Sequence, residues 1–265
     1  MPGTRPSDDV FAAFGAEPAT AQLLPGGRGT TWLAGDVVLR PMADPVEGDW
    51  HSEVLDTLTH DAGFRTARPI RSARGAWSID GWEAWQRMPG TADETRVRDV
   101  IAAGDAFHRA IAHLPRPGFI DAADDPWSRS DRMAWQEEPL IDDPMLNRIS
   151  EALRPVASAS QLIHGDLLGN VLFADPEPPT IIDWAPYWRP VRWAAAIAVA
   201  DAVCWHDGPL DLLESVGEGD PDWPQLVLRA LVFRIATLCV AGWWDEAMRA
   251  RHEPVVTAAL ALARR

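Results

Sequence analysis

The run Leu162-Ile163-His164-Gly165-Asp166-Leu167-Leu168-Gly169-Asn170-Val171-Leu172-Phe173 sets a histidine, an aspartate, an asparagine and two glycines in a short turn between apolar stretches. A second acid closes another apolar run, in Thr180-Ile181-Ile182-Asp183-Trp184. A hairpin that brings Asp166, Asn170 and Asp183 to one end can orient a hydroxyl with one carboxylate. The other two groups can hold Mg²⁺ on phosphate oxygens. That is the chemistry of phosphoryl transfer, in which positioning and fixed charge do most of the work. A plain polar turn would use similar residue types. The second strand ending on an acid is more than such a turn requires.

Those groups need strands and helices to carry them. Ser7 is expected to cap a helix ending at Ala13, with Gly15 as its stop. Residues 20–24, 30–34 and 37–40 read as strands, joined by Pro25-Gly26-Gly27-Arg28-Gly29 and by Gly35-Asp36. Pro45 opens a helix to about residue 60, with Trp50, Val54, Leu55 and Leu58 as its apolar stripe. Residues 70–72 and 76–79 are further strand candidates, and Asp80-Gly81 turns the chain into a strand over 82–87. Met88-Pro89-Gly90 then interrupts the pattern. Beyond it, helices are expected over 95–114, 126–137, 145–156, 191–205, 224–241 and 254–263. The fold class is therefore α+β, with a boundary at 88/89: a small β-rich part over 1–88 and a larger, mainly helical part over 89–265.

Composition limits the partners. The net charge of −15 argues against a nucleic-acid partner, which needs a basic footprint. An acidic surface suits a cationic small molecule, and solubility alone explains it equally. All 24 basic residues are arginine, so no lysine is available to contact phosphates. Cys204 and Cys239 lie in apolar helical patterns without metal-ligand spacing, as buried thiols of a cytoplasmic protein would. No apolar run reaches the roughly 20 residues that span a bilayer, and the first residues lack an apolar leader, so no membrane partner is expected. Most of the 14 tryptophans are expected in the core.

The β-rich part, the Met88-Pro89-Gly90 connection and a helical part carrying His164-Gly165-Asp166 together resemble the aminoglycoside phosphotransferase and choline kinase families. These share the protein-kinase-like two-lobed fold. Gly26-Gly27-Arg28-Gly29-Thr30-Thr31-Trp32 and Trp184-Ala185-Pro186-Tyr187-Trp188-Arg189-Pro190 look like an uncharacterised actinobacterial branch of the group. The resemblance implies a kinase using ATP (or GTP) and Mg²⁺, with the nucleotide in a cleft between the lobes. Asp166 would be the catalytic base, Asn170 and Asp183 the Mg²⁺ ligands, and His164 a support for the loop through hydrogen bonds. Gly26, Gly27 and Gly29 would cover the phosphates. Arg40 would stand where the family has a lysine, with Glu53 as its ion-pair partner. The Gln86 carbonyl and the Met88 amide would meet the adenine edge.

The chain departs from that pattern twice. From Asp166 to Asn170 is four steps where the family has five, so either Asn170 reaches the metal through a tighter turn helped by Gly169, or the loop is distorted. Arg40 is a planar fork in place of a point charge. The resemblance implies transfer to a hydroxyl of a small molecule, an amino sugar, aminoglycoside or related metabolite. The alternative is an impaired, kinase-like binding protein. Acceptor candidates are Asp201, whose place in an apolar run calls for a partner, and the flat side chains of Trp127, Trp135, Trp184, Tyr187, Trp188 and Trp205 as walls for a sugar ring. The acids Asp207, Asp211, Glu214, Glu218, Asp220 and Asp222 could join them or form a solvated loop.

Overall fold

A computed structural model of the protein describes residues 4–25 and 29–265. The chain divides into two compact units, one built from Met1–Gly90 and Phe173–Ile182, the other from Thr91–Leu172 and Asp183–Arg265.

In the first unit, Ser7 caps α1 (Asp8–Ala13), its hydroxyl accepting from the Val10 N–H, and Gly15 follows with φ +66°. A five-stranded sheet has the order β1 (Gln22–Leu23), β2 (Trp32–Ala34), β3 (Val37–Pro41), β6 (Trp82–Gln86), β5 (Ser78–Ile79). Its inward residues Ala34, Leu39 and Ala84 pack with Val10, Phe11 and Phe14 of the first helix region. Between β3 and β5 come α2 (Pro45–Thr57) and β4 (Arg65–Thr66). The buried face of α2 is Gly48, His51, Ser52 and Leu55. Of the expected stripe, Leu55 and Leu58 are buried and Trp50 and Val54 only partly so, and the side chain of Met42 lies against Gly48, where a Cβ would have no room. Residues 70–72 form no strand; Ile70 N–H donates instead to the Ala84 carbonyl along β6.

The second unit holds β7 (Thr91–Ala92), α3 (Val97–Ile111), α4 (Phe119–Ala122), α5 (Pro126–Ala134), α6 (Pro144–Ser150) and β8 (Ser160–His164). β9 (Val171–Ala174) then leads the chain out of this unit. β10 (Glu177–Ile181) lies parallel to β4, and Arg65 donates to Thr180 (2.7 Å) and pairs with Glu177 (2.6 Å). These links put residues 173–182 with the first unit rather than the second, where the boundary at 88/89 had left them. The chain returns through β11 (Pro186–Pro190), antiparallel to β8, and continues as α7 (Val191–Trp205), α8 (Leu212–Ser215), α9 (Trp223–Val240) and α10 (Glu246–Leu262).

The helical core is centred on α7 and α9, whose fully buried side chains include Trp193, Trp223 and Phe233. α9 is long and apolar enough to cross a membrane by length and composition, yet 72% of it is buried inside the structure, which marks a core helix. α10 begins eight residues before the expected start at Pro254: Asp245 caps it by accepting from the Met248 N–H, and Pro254 sits inside the helix. Cys204 is buried as expected, whereas Cys239 is only partly so; burial pushes their thiols up to about 12 and about 11.

Candidate active site

β8 carries the first catalytic candidates. Leu162 and Ile163 anchor it in the core, and His164 follows, fully buried. The His164 N–H donates to Nε2 of His108 on α3 (2.9 Å), and its Nδ1 accepts from the N–H groups of Asp166 (3.1 Å) and Ala185 (3.4 Å). An imidazole that accepts at Nδ1 carries its proton on Nε2, so His164 braces the loop in its neutral form. The Gly165 N–H donates to the Ala185 carbonyl (2.9 Å). One histidine thus ties the loop bearing Asp166 to the segment that follows Asp183.

Gly165 has a packing reason to be glycine. A Cβ there would lie 2.4 Å and 2.6 Å from Cδ2 and Cε2 of Tyr187. The ring is held in turn by Trp193 and Phe233, at 6.2 and 5.6 Å between centroids. Leu167 anchors the next position, its side chain lying against Gly104 of α3, where a Cβ would meet it at 2.4 Å.

The four-step interval from Asp166 to Asn170 closes as a tight turn. Asn170 N–H donates to the Leu167 carbonyl (3.0 Å), and Gly169 takes φ +86°, a left-handed conformation that favours glycine. The Asn170 amide nitrogen donates to the Asp166 carbonyl (2.7 Å) and carboxylate (3.1 Å). Both partners are acceptors, which fixes the amide's orientation and turns Oδ1 away from them. The missing residue shortens the turn without breaking it.

Asp183 is exposed, with φ 47°. The next residue fixes it: Trp184 is buried, donates Nε1–H to the Ile163 carbonyl (3.1 Å) and meets Phe107 edge-on at 5.1 Å. Trp184 and Tyr187 were expected as flat walls for an acceptor; both belong to the core, where they position Asp183 and Gly165. Burial pushes the Tyr187 hydroxyl well up, so it stays protonated. Trp135 is likewise structural, lying under the guanidinium groups of Arg189 (5.1 Å) and Arg229 (4.6 Å). Among the described residues no three His, Cys, Asp or Glu side chains gather as a metal cluster. The oxygen chemistry of Asn170 Oδ1 and the Asp183 carboxylate fits a hard cation that takes its other ligands from phosphate and water.

Above Asp166 lies a pocket of about 270 Å³, walled by Trp127, Trp205 and Trp243 and floored by Asp166, Asp201 and Arg234. The Arg234 Nη2 donates to Asp166 Oδ1 (2.6 Å), Nε donates to Asp201 Oδ1 (2.7 Å), and Nη2 also reaches Asp201 Oδ2. Asp166 keeps 47% of its side chain exposed, while Asp201 is buried. Burial pushes the Asp201 carboxyl up, opposed by the Arg234 charge. Burial also opposes the charge on Arg234, yet the two carboxylates outweigh it and hold the guanidinium ionised.

Arg234 was missed in the sequence, although two signals pointed to it. Asp201 needed a countercharge, and α9 contains only two charged residues, Arg229 and Arg234. Of the expected acceptor residues, Asp201, Trp127 and Trp205 do line the pocket. Others of the acidic group have structural partners: Glu214 pairs with Arg265 (2.6 Å), Asp220 with Arg192 (3.6 Å), and Asp222 accepts from the N–H groups of Ala157 and Ser158.

The nucleotide candidates lie in the first unit. Gly26 and Gly27 fall outside the described residues, and Gly29 has φ +66°. Arg40 does not pair with Glu53. It faces Glu83 in the β3–β6 register and forms its ion pair there, with its guanidinium 5.1 Å over Trp85. The physical reason is burial: Glu83 is 4% exposed and needs a countercharge, whereas Glu53 lies on the exposed face of α2. Gln86 ends β6, its N–H donating to the Arg68 carbonyl, and Met88 follows two residues later.

The family described as "Phosphotransferase enzyme family" (APH) matches residues 28–187. No curated protein matches. Among solved structures, an aminoglycoside phosphotransferase from Alicyclobacillus acidocaldarius superposes with a TM-score of 0.61 at 15% identity, over 99% of this chain and 96% of that one. The amicoumacin kinase hAmiN, in complex with AMP-PNP, Ca²⁺ and Ami, gives 0.61 at 11% identity, over 96% and 92%. Spectinomycin phosphotransferase APH(9)-Ia, in complex with ADP and spectinomycin, gives 0.56 at 16% identity, over 97% and 96%. At these identities the likeness is one of fold, and it is the kinase-like α+β fold expected from the sequence.

Proposed function

The chain belongs to the phosphotransferase enzyme family, and on that premise we propose that it moves the γ-phosphate of ATP (or GTP) to a hydroxyl of a small ring-bearing molecule such as an amino sugar, an aminoglycoside or a related metabolite. The observation that carries the reading is the state of Asp166: half-exposed at the pocket floor, with its backbone locked by His164 and its carboxylate held by Asn170 and Arg234. Asp166 accepts the proton of the acceptor hydroxyl and aims its oxygen at the γ-phosphorus. A new O–P bond forms as the bond from phosphorus to the β,γ-bridging oxygen breaks, and the nucleoside diphosphate leaves with that electron pair. Asn170 and Asp183 would hold Mg²⁺, whose charge would offset that of the phosphate oxygens. Arg40 serves the phosphates from β3 with its charge balanced by Glu83, Gly29 belongs to the segment that would cover them, and Gln86 and Met88 offer backbone groups to the base.

The Arg234–Asp166 ion pair favours a second reading, binding without turnover, because it occupies one oxygen of the base. One experiment separates the two. Nucleoside diphosphate release is measured with Mg·ATP across a panel of hydroxylated acceptors, for wild type and Asp166→Asn. Acceptor-dependent release that falls by about 100-fold or more in the variant supports the enzyme. A thermal shift with Mg·ATP but no release on any acceptor supports the binding protein, and an unchanged rate in Asp166→Asn removes that residue from the mechanism.

A further inference from the structure

The charge of the pocket decides what it can hold. Two carboxylates reach it, Asp166 and Asp201, and the single guanidinium of Arg234 is bonded to both. One net negative charge remains among the three. The Asp201 carboxylate is buried and already meets Arg234 through both oxygens, so it has little left to offer an incoming ammonium group. Most of the remaining wall is apolar, with His206 and Thr237 as its other polar side chains. Trp127, Trp205 and Trp243 line the space, and Trp243 is 59% exposed, an unusual position for a large apolar ring unless something covers it. The volume, about 270 Å³, is just below the roughly 300–1,000 Å³ usual for ligand pockets. It suits one or two rings.

Given the phosphotransferase reading, on which it rests, we propose that this pocket takes an acceptor alcohol with at most one positive charge and a flat, weakly polar ring face, and that Arg234 sets this choice by holding both carboxylates. A polyamine brings several ammonium groups, and each buried without a carboxylate loses its hydration uncompensated. An aromatic or sugar ring face loses little water and gains contact with the indoles. Arg234 is thus a specificity-determining residue, and Trp243 is the wall that closes on the ring.

Binding measured without nucleotide tests the inference, using phenyl β-D-glucopyranoside and kanamycin as the two probes in calorimetry. The glucoside is expected to bind at least about ten-fold more tightly than kanamycin, a difference of about 1.4 kcal/mol. If kanamycin matches or exceeds it, or if neither binds, the inference is overturned. Arg234→Gln releases both carboxylates and is expected to raise kanamycin affinity about ten-fold. Because Arg234 is buried, a surface variant provides an independent reading: Trp243→Ala should weaken the glucoside about five-fold and leave kanamycin unmoved. Equal effects on the two probes would overturn the proposal. Binding and transfer separate its failure from that of the enzyme reading. A protein that bound and phosphorylated kanamycin would refute the charge argument alone, and one that bound the glucoside but transferred to no alcohol would refute the enzyme alone.

Discussion

Acidification from about pH 7.5 to about pH 5 should strip the loop bearing Asp166 of a support that works only while neutral. His108 lies buried on α3, and its Nε2 accepts the N–H of His164 at 2.9 Å. Burial first, and the neighbouring His164 second, push its pKa from the ordinary 6.5 down to about 3. In the unfolded chain the ring takes up a proton near 6.5; in the folded chain it does not until far lower pH. The stability this provides is fully present above 6.5 and is lost as pH falls toward 3. At pH 5 the unfolded chain is favoured by about thirty-fold through this one group, a loss of about 2 kcal/mol, with a slope approaching 1.4 kcal/mol per pH unit. The figure at pH 5 depends little on the folded value, provided that value lies well below 5. His60 and His252 are also pushed down by burial, so the total acid loss is larger. His108→Gln isolates the one contribution, since an amide oxygen can accept the same N–H without titrating. Urea unfolding of both proteins at the two pH values, followed by circular dichroism, should show wild type losing about 2 kcal/mol more than the variant. Equal losses would refute the assignment of His108 as a neutral brace.

Gly165→Ala would drive a methyl group into the Tyr187 ring, and Trp193 and Phe233 leave that ring little room to retreat. Thermal melts should show a loss of about 1–3 kcal/mol, and the rate of phosphate transfer should fall more than stability alone explains. In the first unit, Arg40→Ala should cost about 3 kcal/mol by leaving Glu83 buried without its countercharge, Arg40→Lys should restore part of it, and Glu53→Ala should change the melt by no more than about 0.5 kcal/mol. A Glu53 variant as damaging as the Arg40 variant would restore the pairing expected from the sequence.

Local signals carried the elements well. Ser7, Pro45 and Pro126 start helices by capping and by a fixed φ, and Asp80-Gly81 turns a hairpin, because each acts within a few residues of itself. The loop around Asp166 was legible for the same reason: its polar residues are concentrated in ten positions between apolar runs. What failed was partnership across the chain. Arg40 and Glu83 are 43 residues apart and Asp201 and Arg234 are 33 apart, and each pairing follows from register or helix packing that no local pattern encodes. Trp184 and Tyr187 misled because an aromatic beside a polar motif reads equally as a wall of the pocket or as the packing beneath it. Burial decides between these, and burial is a property of the assembled core. The start of α10 was misplaced because proline was read as an opening signal, while Asp245 supplied the cap nine residues earlier.

The arrangement around Asp166 has a physical logic in how its charge is distributed. Beneath the carboxylate the supporting groups are neutral: the imidazoles of His164 and His108, the protonated Tyr187 and the amide of Asn170. A charge in that layer would have to be desolvated with no partner, at a cost of several kcal/mol. The ionic groups stand on the pocket side, as Asp201 and Arg234. In the transfer proposed above Asp166 would gain a proton, and an Arg234 paired with it alone would then be left buried with an uncompensated charge. Asp201 prevents this, since it holds the same guanidinium through two oxygens whether Asp166 is charged or neutral. A carboxylate deep in an apolar helix thus leaves Arg234 with a partner in either charge state of Asp166.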